Sequence, residues 1–327
     1  MVTQKKIGVV LFNLGGPDSL DAVEPFLFNL FNDPDIINFP FSFLFRKRLA
    51  KYISRKRSPK IVEQYKQIGG KSPLLELTRK QAEALNIKLN SKINCKVYIA
   101  MRYWHPFTDE IMPQLEKERF NKLILLPLYP QYSVSTIGSS KNEWDRIKNK
   151  YSSIKNIETV LVSEYFNHPT YIDAIVEGIN FTLKKFPEDV RDSVVLLFSA
   201  HGTPIKLVKM GDPYKGQIEE TVRSVISRGD FKQKHMLGFQ SKVGPQKWLE
   251  PKTLDIIDEI AKDSNQNILV IPIAFVSDHL ETLFEIGIEF RKHAENKGIK
   301  QFEVMPGLND SPLFIKALSE IVLNNLN

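Results

Sequence analysis

Short apolar runs alternate with longer amphipathic stretches along the chain. Residues 7–14, 96–101, 122–128 and 159–163 are rich in Val, Ile and Leu. Each ends abruptly: in Gly15-Gly16-Pro17, in Arg102-Tyr103-Trp104-His105-Pro106, in Tyr129-Pro130-Gln131-Tyr132-Ser133, and in Asn167-His168-Pro169 before a helix from Thr170. A short apolar run closed by Gly or Pro reads as a buried strand feeding a turn. Helical patterns lie between the runs, so each unit reads strand then helix, and the sheet is expected to be parallel.

The second half repeats the plan. Residues 193–198 lead to His201-Gly202-Thr203-Pro204, as the first run leads to Gly-Gly-Pro. Residues 236–239 lead to Gln240-Ser241-Lys242-Val243-Gly244-Pro245. Residues 267–273 share an internal proline with 122–128 and lead to Ala274-Phe275-Val276-Ser277-Asp278. Residues 302–305 lead to Asn309-Asp310-Ser311-Pro312, and the helix after it carries Phe314-Ile315-Lys316-Ala317 against the earlier Tyr171-Ile172-Asp173-Ala174. Such self-similarity predicts an α/β protein of two similar lobes, each a four-stranded parallel sheet flanked by helices, with a ligand cleft between their strand ends. The boundaries expected are 1–165 and 166–327, with the last helix free to pack back on the first lobe.

The lobes differ in one insertion, about 20–90, which gives the first lobe roughly fifty residues more between its first two strands. Phe26, Phe28, Phe31, Phe39, Phe41, Phe43 and Phe45 come first. Arg46, Lys47, Arg48, Lys51, Arg55, Lys56, Arg57 and Lys60 follow. Two readings fit. One is a helical hairpin whose phenylalanines fill a local core beneath solvated charges. The other is an apolar lip with a basic collar, suited to a membrane surface or an amphiphilic anion.

Composition narrows the choices. The 327 residues leave ample room for a core, and 42% apolar with 25% charged residues is ordinary for a soluble globular protein. The net charge of +7 favours anionic partners without naming one, and no feature singles out nucleic acid. The single cysteine, Cys95, excludes an internal disulfide and any four-cysteine zinc or iron–sulfur site, and suits a reducing cytoplasm. The start, Met1 to Lys6, lacks a signal-peptide pattern, and no apolar run approaches the ~20 residues of a spanning helix.

His201 stands at the carboxyl end of its strand, where ligands of open parallel sheets sit. Its imidazole suits a base or a metal ligand; the plain alternative is a core histidine held by backbone. A second cluster follows the third strand of its lobe: Asp278, His279, Glu281, Glu285 and Glu289. Asp278 and Glu281 have capping-box spacing, and the glutamates recur every four residues on one helical face. A solvated stripe is the plain reading. The sharper one places His279 and Glu281 at the same sheet edge as His201. Imidazoles and carboxylates without thiolates make an open site for a divalent first-row metal, with His201 and Glu281 as its donors. There is no His-Glu-x-x-His, no nucleophile elbow and no dinucleotide glycine fingerprint. Gly69-Gly70-Lys71-Ser72 ends like a phosphate loop, but Tyr65 occupies the place of its first glycine.

Seven segments in order then resemble ferrochelatase, the metal-inserting enzyme of haem synthesis: Asn13-Leu14-Gly15-Gly16-Pro17, residues 64–73, Arg102 to Pro106, Tyr129 to Ser133, Ser199-Ala200-His201-Gly202, Gln240 to Pro245, and Ser277 to Leu283. The resemblance implies two Rossmann-like lobes of the chelatase type and insertion of Fe²⁺ into protoporphyrin IX with release of two protons. By position it implies that His201 and Glu281 are the catalytic pair, with Asp278, His279, Glu285 and Glu289 as the proton or metal path. Leu14, Arg57, Lys60, Tyr65, Ser72, Arg102 and Tyr103 match porphyrin-binding positions, and Trp248 and Phe275 supply aromatic walls. Leu14 replaces a methionine or tyrosine common in the family. Val134 stands where some members place a cluster-ligating cysteine, so no 2Fe–2S cluster and no permanently bound cofactor are expected. The lip then implies peripheral contact with the inner face of the cytoplasmic membrane, with a monomer favoured. Insertion of another metal, a coproporphyrin or other tetrapyrrole substrate, and a non-catalytic tetrapyrrole carrier stay open as alternatives.

Overall fold

Branched apolar residues that run without alternation need cover on both faces, and that is how the strands are built. A computed structural model describes residues 5–36, 42–241, 246–262 and 267–326, with the side chains of residues 42 and 43 outside that description. The chain divides into two units: residues up to Glu164 together with those from Ile315 onward, and Tyr165–Phe314.

In the first unit β1 (Lys6–Asn13), β2 (Asn94–Met101), β3 (Lys122–Pro127) and β4 (Glu158–Leu161) form one parallel sheet in the order β2-β1-β3-β4. In the second, β5 (Val195–His201), β6 (His235–Gln240), β7 (Asn267–Pro272) and β8 (Gln301–Val304) repeat that order as β6-β5-β7-β8. The register repeats too. Phe12 pairs with Pro127 as Ser199 pairs with Pro272, which puts Leu14 at the position equivalent to His201. Two similar four-stranded parallel sheets are what the apolar runs predicted.

Core packing follows from the pattern. In the first unit Phe12, Met112, Leu115, Leu123, Leu125 and Trp144 pack together, with the Phe12 and Trp144 rings 5.9 Å apart. In the second, Leu197, Ile257, Ile268, Val270, Ile286 and Phe290 do the same. Each such side chain contributes about 1.5–3 kcal/mol relative to exposure. Ile286 and Phe290 matter most here, because they anchor the segment Glu281–Phe290 by its apolar face.

That segment is a π-helix, and a shorter π-turn, Val134–Gly138, occupies the same place after β3. Both follow the third strand of their sheet. Bulges of this kind gather at functional sites.

The insertion folds as helices Val23–Phe31, Ser42–Gln67 and Leu74–Asn90. Both readings of it hold in part. Phe26 and Phe31 are buried and Phe28 is half-buried, so these rings do fill a local core. Phe45 is 54% exposed, beside exposed Leu44 and Tyr52 on the helix Ser42–Gln67. Lys47, Arg48, Lys51, Arg55, Lys56 and Lys60 are exposed on the same helix, whose first acidic residue is Glu63. Phe39, Phe41 and the Phe43 side chain lie outside the described residues, as does Lys242-Val243-Gly244-Pro245. Among the described residues no helix is long and apolar enough to cross a membrane.

Candidate active site

β5 delivers His201 to the sheet's carboxyl edge, and Gly202 lets the chain turn there against β6. The Gly202 N–H donates to the Gln240 carbonyl at 2.7 Å, and a Cβ at 202 would sit 2.8 Å from that oxygen. The Tyr214 hydroxyl donates to the His201 carbonyl at 3.0 Å and holds the strand end from the other side.

His201 Nδ1 lies 2.9 Å from Glu281 Oε2. An ionised carboxylate only accepts, so Nδ1 carries the hydrogen and Nε2 holds the lone pair of the neutral ring. Burial opposes charge on His201, but the Glu281 charge and hydrogen bond, with Glu285 behind, raise its pKa above the ordinary imidazole value. Burial also works against the Glu281 charge; His201 and a hydrogen bond from Ser241 outweigh it and hold this carboxyl well below the usual range. Both shifts favour the imidazolium–carboxylate form of the pair, and the carboxylate fixes the tautomer of the ring when it is neutral.

Glu281 Oε2 has two further neighbours. Gln240 Nε2 is 3.4 Å away and Ser241 Oγ 3.1 Å. The Ser199 hydroxyl donates to Gln240 Oε1 at 2.7 Å, which aims the Gln240 amide nitrogen at Glu281. One turn along the π-helix, Glu285 accepts from the Ser241 N–H at 3.1 Å and meets Ser241 Oγ at 2.6 Å. Burial, and then the Glu281 charge, lift the Glu285 carboxyl to about 7. Glu289 follows and is exposed.

Aromatic rings crowd the same edge. Phe275 lies 4.6 Å from the His279 ring and 6.4 Å from that of His201. Trp248 is half-buried and packs over Gly202. His279 is buried, with Nδ1 donating to the Ser277 carbonyl at 3.1 Å, and burial lowers its pKa, so it stays a neutral ring.

Asp278 is bonded to the turn after β8. Its Oδ1 accepts from the Gly307 N–H at 3.1 Å and from Thr282 Oγ1 at 2.9 Å, and its Oδ2 from Asn309 Nδ2 at 2.8 Å. The Asp278 N–H donates back to Asn309 Oδ1 at 3.0 Å. This carboxylate pins the start of the π-helix to the turn after β8, and the capping box with Glu281 does not form.

Arg102 and Tyr103 leave the end of β2, but both turn into a buried cluster. Arg102 Nη2 is 3.0 Å from Asp33 Oδ2, the Tyr103 hydroxyl donates to the same oxygen at 2.6 Å, and Ser139 Oγ bonds it too. Tyr103 is 1% exposed and the Asp33 side chain wholly buried. Tyr65 and Ser72 are likewise buried, at 3% and 7%. Ser72 donates its N–H to the Pro17 carbonyl at 2.8 Å, and a Cβ on Gly16 would overlap its hydroxyl, so it locks the Gly15-Gly16-Pro17 turn. Leu14 is half-buried, Lys60 exposed, and the Arg57 guanidinium lies 5.6 Å over the Phe31 ring.

Sequence reasoning passed over Ser199, Gln240, Ser241 and Tyr214 as single residues. Gln240 and Ser241 carried a signal, since both stand at a strand's carboxyl end. Asp33 carried none; its partners are distant in the chain. Among the described residues no three His, Cys, Asp or Glu side chains converge as a metal cage. His201 and Glu281 are two side chains that could hold a metal ion between them.

A family model described as Ferrochelatase matches residues 6–326. A ferrochelatase of Trichodesmium erythraeum is 46% identical over 98% of this chain and 83% of its own length. One of Sulfurihydrogenibium sp. is 44% identical over 99% and 100%. Among solved structures, SirB from Bacillus subtilis with Fe³⁺ aligns with a TM-score of 0.58 over 98% of this chain and 95% of its own, at 10% identity. CbiX, described as the terminal enzyme for siroheme biosynthesis in denitrifying bacteria, aligns at 0.51 over 99% and 100%, at 11% identity. These two speak for the fold alone. With a family match from β1 to the last described residue, the chain belongs to the ferrochelatase family.

Proposed function

We propose that this protein inserts Fe²⁺ into protoporphyrin IX and releases two protons, giving protohaem. The observation that carries the reading is the His201–Glu281 pair, whose Nδ1–Oε2 bond leaves Nε2 ready to accept a proton. A porphyrin holds two pyrrole N–H groups inside a flat ring, and metal entry requires both to leave. His201 takes these protons in turn, and Glu281 stabilises the imidazolium that forms. Glu285, at about 7, is matched to accept and release a proton near neutrality. Phe275 and Trp248 provide apolar surface for a macrocycle, and a ring bent by close packing turns a lone pair toward the metal. Iron enters as a substrate, so a two-donor open site suits it better than a closed cage that would retain it.

The protein acts at an anionic membrane surface. Leu44, Phe45 and Tyr52 are exposed beside Lys47, Arg48, Lys51, Arg55 and Lys56, the make-up of a helix lying in a lipid interface. Anaerobic incubation with Fe²⁺ and protoporphyrin IX tests the central reading. Loss of porphyrin fluorescence with growth of haem absorbance is expected, collapsing in His201→Ala and Glu281→Ala. Tight porphyrin binding without metalation in the wild type would overturn it.

A further inference from the structure

β5 lies between β6 and β7, so the carbonyls along it face one neighbour and the other in turn. The Ser199 carbonyl accepts from the Ile273 N–H at 3.0 Å and so faces β7. The His201 carbonyl, two residues on, points the same way, and the register offers it the N–H of Phe275. That donor has turned away. β7 ends at Pro272, and the Phe275 N–H bonds back to the Pro272 carbonyl at 3.1 Å.

The first unit shows a second way to serve this carbonyl from the backbone. Leu14 is the counterpart of His201, and its carbonyl accepts from the Tyr103 N–H at 2.9 Å. The counterpart of Tyr103 is Ser241, whose N–H goes instead to Glu285 Oε1 at 3.1 Å. Ser241 makes that turn with a φ of 60°. Both backbone donors that the duplicated plan offers to the His201 carbonyl are thus engaged elsewhere, each by a turn that shapes the site.

A buried carbonyl left without a partner is costly, and here a side chain meets the need. The Tyr214 hydroxyl donates to the His201 carbonyl at 3.0 Å, from a residue only 7% exposed. Tyr214 is the first residue of the helix Tyr214–Gly229, and its N–H donates to Asp212 Oδ1 at 3.0 Å. Gly211, with a φ of 93°, turns the chain just before. His201 is then held at both ends: its ring by Glu281 at 2.9 Å and its backbone by Tyr214.

We propose that Tyr214 is a positioning residue for metal insertion: its hydroxyl takes the place of a sheet donor and fixes the peptide from which the His201 ring projects. This rests on the functional reading above, in which His201 accepts the pyrrole protons. Without the hydroxyl the carbonyl turns toward another donor, and a turn of that peptide swings the imidazole.

Zinc insertion into protoporphyrin, followed by fluorescence, is the test, with Zn²⁺ as the probe metal. Tyr214→Phe keeps the aromatic ring and removes only the hydroxyl. Its kcat is expected to fall at least about tenfold with the porphyrin KM within about twofold, because a misplacement of about 1 Å can cost about 10²-fold. Ile257→Val is the control. It trims a buried core residue of the same unit, lowers the urea midpoint, and should keep the wild-type kcat. Unchanged kcat in Tyr214→Phe overturns the positioning role. So does a loss that appears in KM, which would make Tyr214 part of the porphyrin-binding surface. An equal loss of kcat in Ile257→Val overturns it as well, because lost stability would then explain both variants. In each of these cases the wild type still inserts metal and the functional reading stands. A wild type that inserts neither zinc nor iron overturns that reading, and the positioning role with it.

Discussion

Replacing Glu285 by Gln should make the protein more stable at pH 8 and leave it unchanged near pH 4.5. Burial, and then the neighbouring Glu281 charge, raise the Glu285 carboxyl from 4.5 to about 7. Between those values the unfolded chain has released a proton that the native state still binds. Stability from this group is thus fully present below 4.5 and is lost as pH rises through about 7. Glu281 acts in the opposite sense and at lower pH, because its native pKa lies below that of the unfolded chain. Glutamine carries no proton to lose, so the difference between variant and wild type isolates Glu285. At ~1.4 kcal/mol per pH unit, the gap between 4.5 and about 7 sets an upper limit of about 3 kcal/mol. Glu285 is partly exposed, and solvent screening reduces this to about 1–2 kcal/mol. The amide retains both Ser241 contacts, with its oxygen accepting from the N–H and its nitrogen donating to Oγ. Urea unfolding at pH 5, 6, 7 and 8 is the assay. The stability difference should grow with pH and level off above 7. A difference that is constant with pH, or a wild type more stable at pH 8, would refute the reasoning. Metal insertion should fall in the same variant, as expected when a destabilised group serves function.

Other expectations follow from the same geometry. His201→Ala should abolish metal insertion while porphyrin binding, read by fluorescence titration, stays within a few-fold; retained turnover removes His201 from the mechanism. Asp33→Ala strips the buried partner from Arg102, Tyr103 and Ser139 and should cost about 3–5 kcal/mol in urea unfolding, with a loss below ~1 kcal/mol contradicting the cluster's role. Gly202→Ala brings a methyl group to 2.8 Å from the Gln240 carbonyl oxygen and should cost about 1–3 kcal/mol with a fall in activity, while wild-type behaviour would show that the turn is looser than described. Sedimentation with anionic vesicles should weaken with salt, and Lys51→Ala with Arg55→Ala should lower it by about 2 kcal/mol, roughly 30-fold; salt-independent binding would count against a charge-driven contact.

The strands were legible because each apolar run is closed by Gly or Pro, and the doubled plan was legible because Pro127 and Pro272 recur in the same register. The meeting of His201 and Glu281 at one sheet edge was legible because the segments after strand ends of such a sheet lie together. The π-helix was not. Glutamates spaced by four lie near one face of either helix type, and the choice is made by Ile286 and Phe290 seating in the core. The capping-box reading of Asp278 fails for a related reason. Its spacing to Glu281 suits a cap, but Asn309, far along the chain, outcompetes the local partner. Arg102 and Tyr103 were legible as strand-end residues, but their pairing with Asp33 was not, because it is long-range and no local pattern encodes it.

The equal register of the two sheets provides two addresses for one imidazole, and only one is furnished. At the other stands Leu14, with Arg102 in place of Gln240 and Tyr103 in place of Ser241. Thr136 lies as far beyond Pro127 as Glu281 lies beyond Pro272. A histidine grafted at position 14 would therefore have an arginine where its twin has the Gln240 amide, and a hydroxyl where its twin has the Glu281 carboxylate. The architecture is duplicated, but its basicity is not, and moving the chemistry across would take a whole neighbourhood of substitutions.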